Sequence, residues 1–163
     1  FPAHQDNCQN GSGLHFYQKY SKRRGGLMKE EIHTLVAYRL NRARESLEEA
    51  KLLLERGHSN TYVNRLYYAC FYAVSALLLS RGLSSTRHSG VRSLFHQNFV
   101  KSGLIEKKLG QLYDRLFDNR QKGDYADLVR FDPNEVRGWY NEAQEFVEAS
   151  ENLIKKELGC GTK

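Results

Sequence analysis

From Lys29 onward, apolar residues recur at spacings of three and four. Ile32, Val36, Leu40, Ala43, Leu47, Ala50 and Leu54 fall on one stripe. This predicts an amphipathic helix from about residue 29 to 56. Gly57 ends it, and Ser59 or Asn60 is expected to cap the next helix. That second helix, from about 61 to 80, is apolar on several faces: Leu66, Tyr67, Ala69, Cys70, Phe71, Ala73, Val74, Leu77 and Leu78. Such a helix belongs at the centre of a core. Gly82 stops it. A third helix starts near His88 and carries Val91, Leu94, Phe95, Phe99 and Val100 until Ser102-Gly103 breaks it. A fourth, about 106–121, presents Leu109, Leu112, Tyr113, Leu116 and Phe117. Lys122-Gly123 and DYADLVRF then read as a structured connection, and Asp132-Pro133 as N-cap and first residue of the last helix. Val136, Tyr140, Ala143, Val147, Ser150 and Ile154 line its inner face up to about Leu158. There is no strand pattern and no internal repeat. The fold class expected is all-α, an antiparallel up-and-down bundle of four to five helices.

Composition sharpens this picture. The 163 residues are one domain's worth, 40% hydrophobic with only two prolines, which favours helices. The longest apolar run, Ala73 to Leu79, is far short of the ~20 residues of a membrane span, so no membrane partner is expected. Cys8, Cys70 and Cys160 are odd in number, far apart and without a CxxC pair, so a reducing cytoplasm fits better than a disulfide framework.

Residues 1–27 look foreign to the bundle. They have no apolar period and are rich in Gly, Asn and Gln, and the chain's one methionine, Met28, stands just before the helical pattern. The expected organisation is a non-native or disordered extension (1–27), a helical domain (28–158) and a short tail (159–163). Lys-Arg-Arg-Gly-Gly, just upstream of Met28, is what purine-rich codons such as those of a ribosome-binding site encode. A disordered basic arm is the alternative. The chain carries +6 in all. Residues 1–28 hold Lys19, Lys22, Arg23 and Arg24 against Asp6, so the domain keeps only half of the excess, and bulk charge is a weak argument for nucleic acid.

Candidate chemistry concentrates at the junction of the second and third helices. Glu30 and His33 form an ExxH, but a di-metal bundle needs a second copy and further inward glutamates, so no metal and no cofactor are expected. Tyr62, Tyr67, Tyr68, Phe71 and Tyr72 crowd one helix, as core or a dimer interface rather than a base-stacking platform. Arg120, Asp124 and Tyr125 either form a local ion pair or line the cleft at the junction. Arg81 and His88, with six residues between them, admit two readings. A histidine can move the proton of a ribose 2′-hydroxyl at neutral pH, while an arginine binds the scissile phosphate. The plainer reading is that Arg81 ends one helix and His88 opens the next.

The run NRLYYACFYAVSALLLSRGLSSTRHSGVRSLF, followed by FVKSGLIEKKLGQLYDRLF, NRQKGDYAD and FDPNEV, closely resembles the HEPN domain family, in its small prokaryotic single-domain branch. The resemblance spans 28–158. It implies a compact helical bundle that usually forms a homodimer and is often encoded beside a minimal nucleotidyltransferase (MNT) acting as antitoxin. Active members of the family are metal-independent endoribonucleases. They use an Arg-x(4–6)-His motif completed across the dimer interface.

Carried onto this chain, the motif implies Arg81 and His88 as catalytic residues, with RNA as a possible partner. Arg87, Arg92, Arg120 and Tyr125 are the candidate nucleic-acid contacts. Two positions depart from the pattern. Gly82 stands where active members carry Asn, Asp or His, and Gly90 stands where adenylylated toxins carry a tyrosine. Two functions therefore remain open: a toxin-like endoribonuclease, or a non-catalytic HEPN module that dimerises and binds a nucleotidyltransferase, a nucleotide or nucleic acid.

Overall fold

The computed structural model of the chain describes the backbone of residues 26–125 and 129–159, with side chains except at 26–28, 121 and 123–125. Residues 1–25 of the extension, residues 160–163 of the tail and the Tyr125 side chain lie outside the described residues. The described residues form helices and no strand. They are α1 (Gly26–Glu55), α2 (Ser59–Ser80), α3 (His88–Phe95) with a π-helical turn at His96–Val100, α4 (Lys107–Tyr125), the one-turn α5 (Pro133–Val136) and α6 (Trp139–Gly159).

The central element is α2, which packs against α1, α4 and α6 and touches α3 and α5. Its composition demands this position. Fourteen of its residues are buried, including Ala69, Cys70, Ala73, Val74, Leu77 and Leu78. The α1 stripe closes one side with Val36, Leu40, Ala43, Leu47 and Ala50. The two helices run antiparallel: Arg65 reaches Glu49 at 3.3 Å near the turn, and Arg39 donates to the Ser75 carbonyl at 3.0 Å farther along. Each helix of this hairpin ends on a glycine with positive φ, Gly57 at 79° and Gly82 at 72°. At both ends, paired backbone bonds close the last turn. His58 and Gly57 donate to Leu53 and Leu54, and Leu83 and Gly82 donate to Leu78 and Leu79.

Aromatic rings fill the far end of the core. Phe95, Phe99, Tyr113 and Phe146 are fully buried, with Phe95–Tyr113 centroids 5.3 Å apart and Phe95–Phe146 5.5 Å apart. Packing of this kind adds roughly 0.5–1.5 kcal/mol per pair beyond area burial.

Four local expectations are corrected. The fourth helix does not stop at 121: α4 runs on through Lys122-Gly123 to Tyr125, where a connection was expected. The residue preceding α2 is His58, and neither Ser59 nor Asn60 caps it with a side chain. Asn60 instead clasps the segment before α5, donating to the Val129 carbonyl (2.8 Å) and accepting from the Phe131 amide (3.0 Å). The third helix does not stay α-helical to Ser102, because its last five residues widen into a π-helical turn. The last helix is split. Asp132 caps α5 through the Asn134 amide at 2.9 Å, the helix is interrupted by a turn at Arg137-Gly138, and α6 then begins. At that break the buried Tyr62 hydroxyl reaches the carbonyls of Val136 (2.9 Å) and Arg137 (3.3 Å), giving hydrogen bonding to groups that an unbroken helix would have satisfied.

Candidate functional site

The α2–α3 junction brings a histidine, an arginine and a set of aromatic rings together. His88 is the first residue of α3, at the end of the loop that leaves α2. The preceding residue, Arg87, is extended (φ −106°, ψ 139°) and exposed. Ser85 turns the loop, its hydroxyl 3.3 Å from the Arg87 amide. The loop lays the half-buried imidazole across the middle of α2. Its ring stacks on Phe71 at 4.5 Å between centroids and on Tyr67 at 5.8 Å, and meets Tyr68 edge-on at 6.2 Å.

Two polar groups meet His88 at one nitrogen. The Tyr67 hydroxyl lies 2.7 Å from Nδ1, and Nη1 of Arg120 lies 3.3 Å from the same atom. Arg120 comes from α4 and is 8% exposed, its guanidinium 5.1 Å above the Tyr67 ring and 5.3 Å above that of Tyr68. Burial pushes the Tyr67 hydroxyl up to about 12, against a partial opposing effect from neighbouring Tyr113 and Arg120. The phenol is therefore neutral at physiological pH. It donates to a bare Nδ1, or accepts from Nδ1–H by rotating its hydrogen. An arginine has only donors to offer.

The other predicted residues lie elsewhere. Arg81 is the C-cap of α2 and turns away from His88. Its guanidinium pairs with Glu157 of α6, lies 4.5 Å from the Phe99 ring centre and reaches the Asn98 carbonyl at 3.4 Å. Within one chain, the structure brings His88 together with Arg120 and not with Arg81. Arg92 stacks on Phe117 at 4.2 Å and sits between Asp114 (3.9 Å) and Asp118 (3.6 Å). Arg87 is exposed beside His88. Glu30 and His33 stand on α1, His33 exposed, and among the described residues no group of three His, Cys, Asp or Glu side chains gathers as a metal site. Nor is any described helix long and apolar enough to cross a membrane.

Both departures from the family pattern have a structural reason. Gly82 takes φ +72°, the left-handed region that among non-glycine residues favours Asn, Asp and His. Those three types are the ones the resemblance places after the motif arginine, and they tolerate this backbone better than other side chains do. Gly90 is a close approach. A Cβ built there would fall 2.0 Å from the Ser85 hydroxyl and 3.0 Å from the Ser85 Cβ. A tyrosine at this position would require the loop to move.

Tyr67 was not singled out from the sequence as a site residue. The available signal was weak: Tyr67 and Phe71 are four apart on one face, but which face meets His88 depends on a loop of variable geometry.

Comparison with known proteins agrees with this architecture. The HEPN domain model matches residues 36–153. A UPF0332 protein of Thermotoga maritima is 47% identical over 77% of this chain and 95% of its own length. Two proteins of Methanocaldococcus jannaschii, each named "Putative toxin", are 33% and 28% identical over 80% of this chain, covering 94% and 86% of their own lengths. The chain belongs to the HEPN domain family.

Proposed function

We propose that this chain is the toxin-like component of a HEPN/MNT toxin–antitoxin pair and a metal-independent endoribonuclease. His88 is its acid–base group and Arg81 its phosphate-binding cation, in a site completed across a homodimer in the cytoplasm. The observation that carries the reading is the setting of His88: a half-buried imidazole held at Nδ1 by a neutral hydroxyl, with a guanidinium beside it. A base held by a third group is the general arrangement for moving a proton.

In the reaction proposed, the 2′-hydroxyl oxygen of RNA attacks the adjacent phosphorus while the imidazole takes its proton. Arginine balances the charge gathering on the phosphate oxygens, the P–O5′ bond breaks, and a proton passes to the leaving oxygen. The products are a 2′,3′-cyclic phosphate and a 5′-hydroxyl. Arg120, already beside His88, supplies a second cation; Arg87 and Tyr125 are proposed to contact the strand. Arg92, held between two aspartates, contributes least. The names of the archaeal relatives favour a toxin's role and hence a partner that restrains it.

A specific observation favours the second reading, a non-catalytic module that binds a nucleotidyltransferase, a nucleotide or nucleic acid. The Arg81–Glu157 pair occupies the guanidinium that the chemistry needs. Growth of a bacterial host after induced expression separates the two. The endoribonuclease reading expects growth arrest by the wild type and none by His88→Ala made at equal level. Absence of arrest, or arrest unchanged by the substitution, supports the binding module.

A further inference from the structure

We propose that Glu157 is a built-in competitor of the RNA phosphate: it holds Arg81 in a resting seat that a bound strand must empty. The inference rests on the nuclease reading above for its functional meaning. The seat itself stands on the geometry of one chain.

Three elements build the seat. The carboxylate comes from the last turn of α6, the Asn98 carbonyl and the Phe99 ring from the π-helical turn, and the guanidinium from the C-cap of α2. Both oxygens of Glu157 are used: Oε1 accepts from Nη2 of Arg81, and Oε2 accepts from Nε at 3.3 Å. The remaining nitrogen, Nη1, donates to the Asn98 carbonyl at 3.4 Å, which also accepts from the Ser102 hydroxyl at 2.9 Å. The guanidinium carbon lies 4.5 Å from the centre of the buried Phe99 ring. Each nitrogen therefore has an acceptor. A two-point grip on one edge of the guanidinium is also how arginine takes a phosphate, so carboxylate and phosphate claim the same donors.

Two observations set this contact apart from a plain staple between α2 and α6. Glu157 stands in the last turn of α6, at the negative end of the helix dipole, where a base such as its neighbour Lys156 is favoured and an acid is not. What it meets on α2 accounts for its place: among the described residues, Glu157 is the acid that pairs with Arg81. The pair is also only partly covered, with side chains 32% and 25% exposed. Solvent reaches it, and an ion pair in such a setting has a modest hold. Arg81 is thus withheld at rest and released when a stronger anion arrives. As a strand binds, the guanidinium changes partner from carboxylate to phosphate.

The test is fluorescence anisotropy on the full chain, with a fluorescein-labelled 2′-O-methyl RNA strand that has no free 2′-hydroxyl and is not cut. Glu157→Gln is expected to bind it about 3- to 10-fold more tightly than the wild type, the scale of one charge-assisted contact. Loss of any acid favours a polyanion, so two controls separate the latch from bulk charge. Glu148→Gln, exposed on the same helix, is expected to change affinity by less than about 2-fold. In an Arg81→Gln background the gain from Glu157→Gln is expected to vanish. A gain no larger than that of Glu148→Gln, or one that survives Arg81→Gln, overturns the proposal. So does a Glu157→Gln chain that binds no strand. Should Glu157→Gln lose its fold, Glu157→Asp takes its place with the same expectations, being one methylene too short for the two-point contact. Where the wild type cuts RNA, Glu157→Gln is expected to raise kcat/KM by the same factor. A wild type that cuts nothing sinks the nuclease reading, and the affinities still decide whether Glu157 withholds Arg81.

Discussion

Adding one methyl group at Gly90 should test the architecture of the junction. Gly90 lies in the first turn of α3, where alanine is ordinarily the better helix former by about 1 kcal/mol. Here the new Cβ would stand 2.0 Å from the Ser85 hydroxyl and 3.0 Å from its Cβ. Rotating the serine relieves the first contact but sacrifices the bond between its hydroxyl and the Arg87 amide, 3.3 Å long, at a cost of about 1 kcal/mol. The second contact is unrelieved, and overpacking of this kind costs roughly 1–3 kcal/mol. The clash outweighs the propensity gain, so Gly90→Ala is expected to be net destabilising by about 1–2 kcal/mol. With Ser85→Gly in place the clash disappears, and Gly90→Ala should be neutral or stabilising. Urea unfolding of wild type, both single variants and the double variant measures the coupling, expected at about 2 kcal/mol. A Gly90→Ala effect that is the same in both backgrounds, within about 0.3 kcal/mol, would refute the close approach and with it the claim that a side chain at this position displaces the loop.

Two further outcomes follow from buried groups. Cys70 is fully buried, and burial raises its thiol well above the usual range, so it should resist an aromatic disulfide reagent at pH 8 in the native protein and react at once in denaturant. Burial also pushes the hydroxyls of Tyr62 and Tyr67 up to about 12, from about 10 in an unfolded chain. The unfolded chain therefore loses these protons first. Their contribution to stability is complete below about pH 10 and is lost as pH rises to about 12. Circular dichroism should show denaturation in that window, later in Tyr62→Phe, provided its fold tolerates losing the bonds to Val136 and Arg137.

Much of the fold was legible because α1 and α2 differ so plainly in pattern. One has a single apolar stripe and the other is apolar nearly all round, and only a surface helix against a central one fits that pair. Glycines 57 and 82 marked the ends because their backbone is left-handed there. The break before α6 was hidden, since Val136 and Tyr140 keep helical spacing across it. What separates them is the turn at Arg137-Gly138, where the Tyr62 hydroxyl, from a helix more than seventy residues earlier, donates to the carbonyls at the break. The site was half legible. His88 was found from its place at a helix start, and Arg120 from its place near the end of α4. Their meeting 32 residues apart depends on how α3 and α4 cross α2. The pairing of Arg81 with Glu157 was equally invisible, because it joins the end of α2 to the end of α6.

The central claim is that His88 moves a proton in RNA cleavage. Purified protein incubated with single-stranded RNA in excess EDTA tests it most directly, read on a denaturing gel with analysis of the product ends. The account predicts cleavage by the wild type, fragments ending in 2′,3′-cyclic phosphate, and a loss of at least about 100-fold in His88→Ala, the scale of general acid–base catalysis. Cleavage that His88→Ala leaves intact, or that vanishes with EDTA in the wild type, would contradict it.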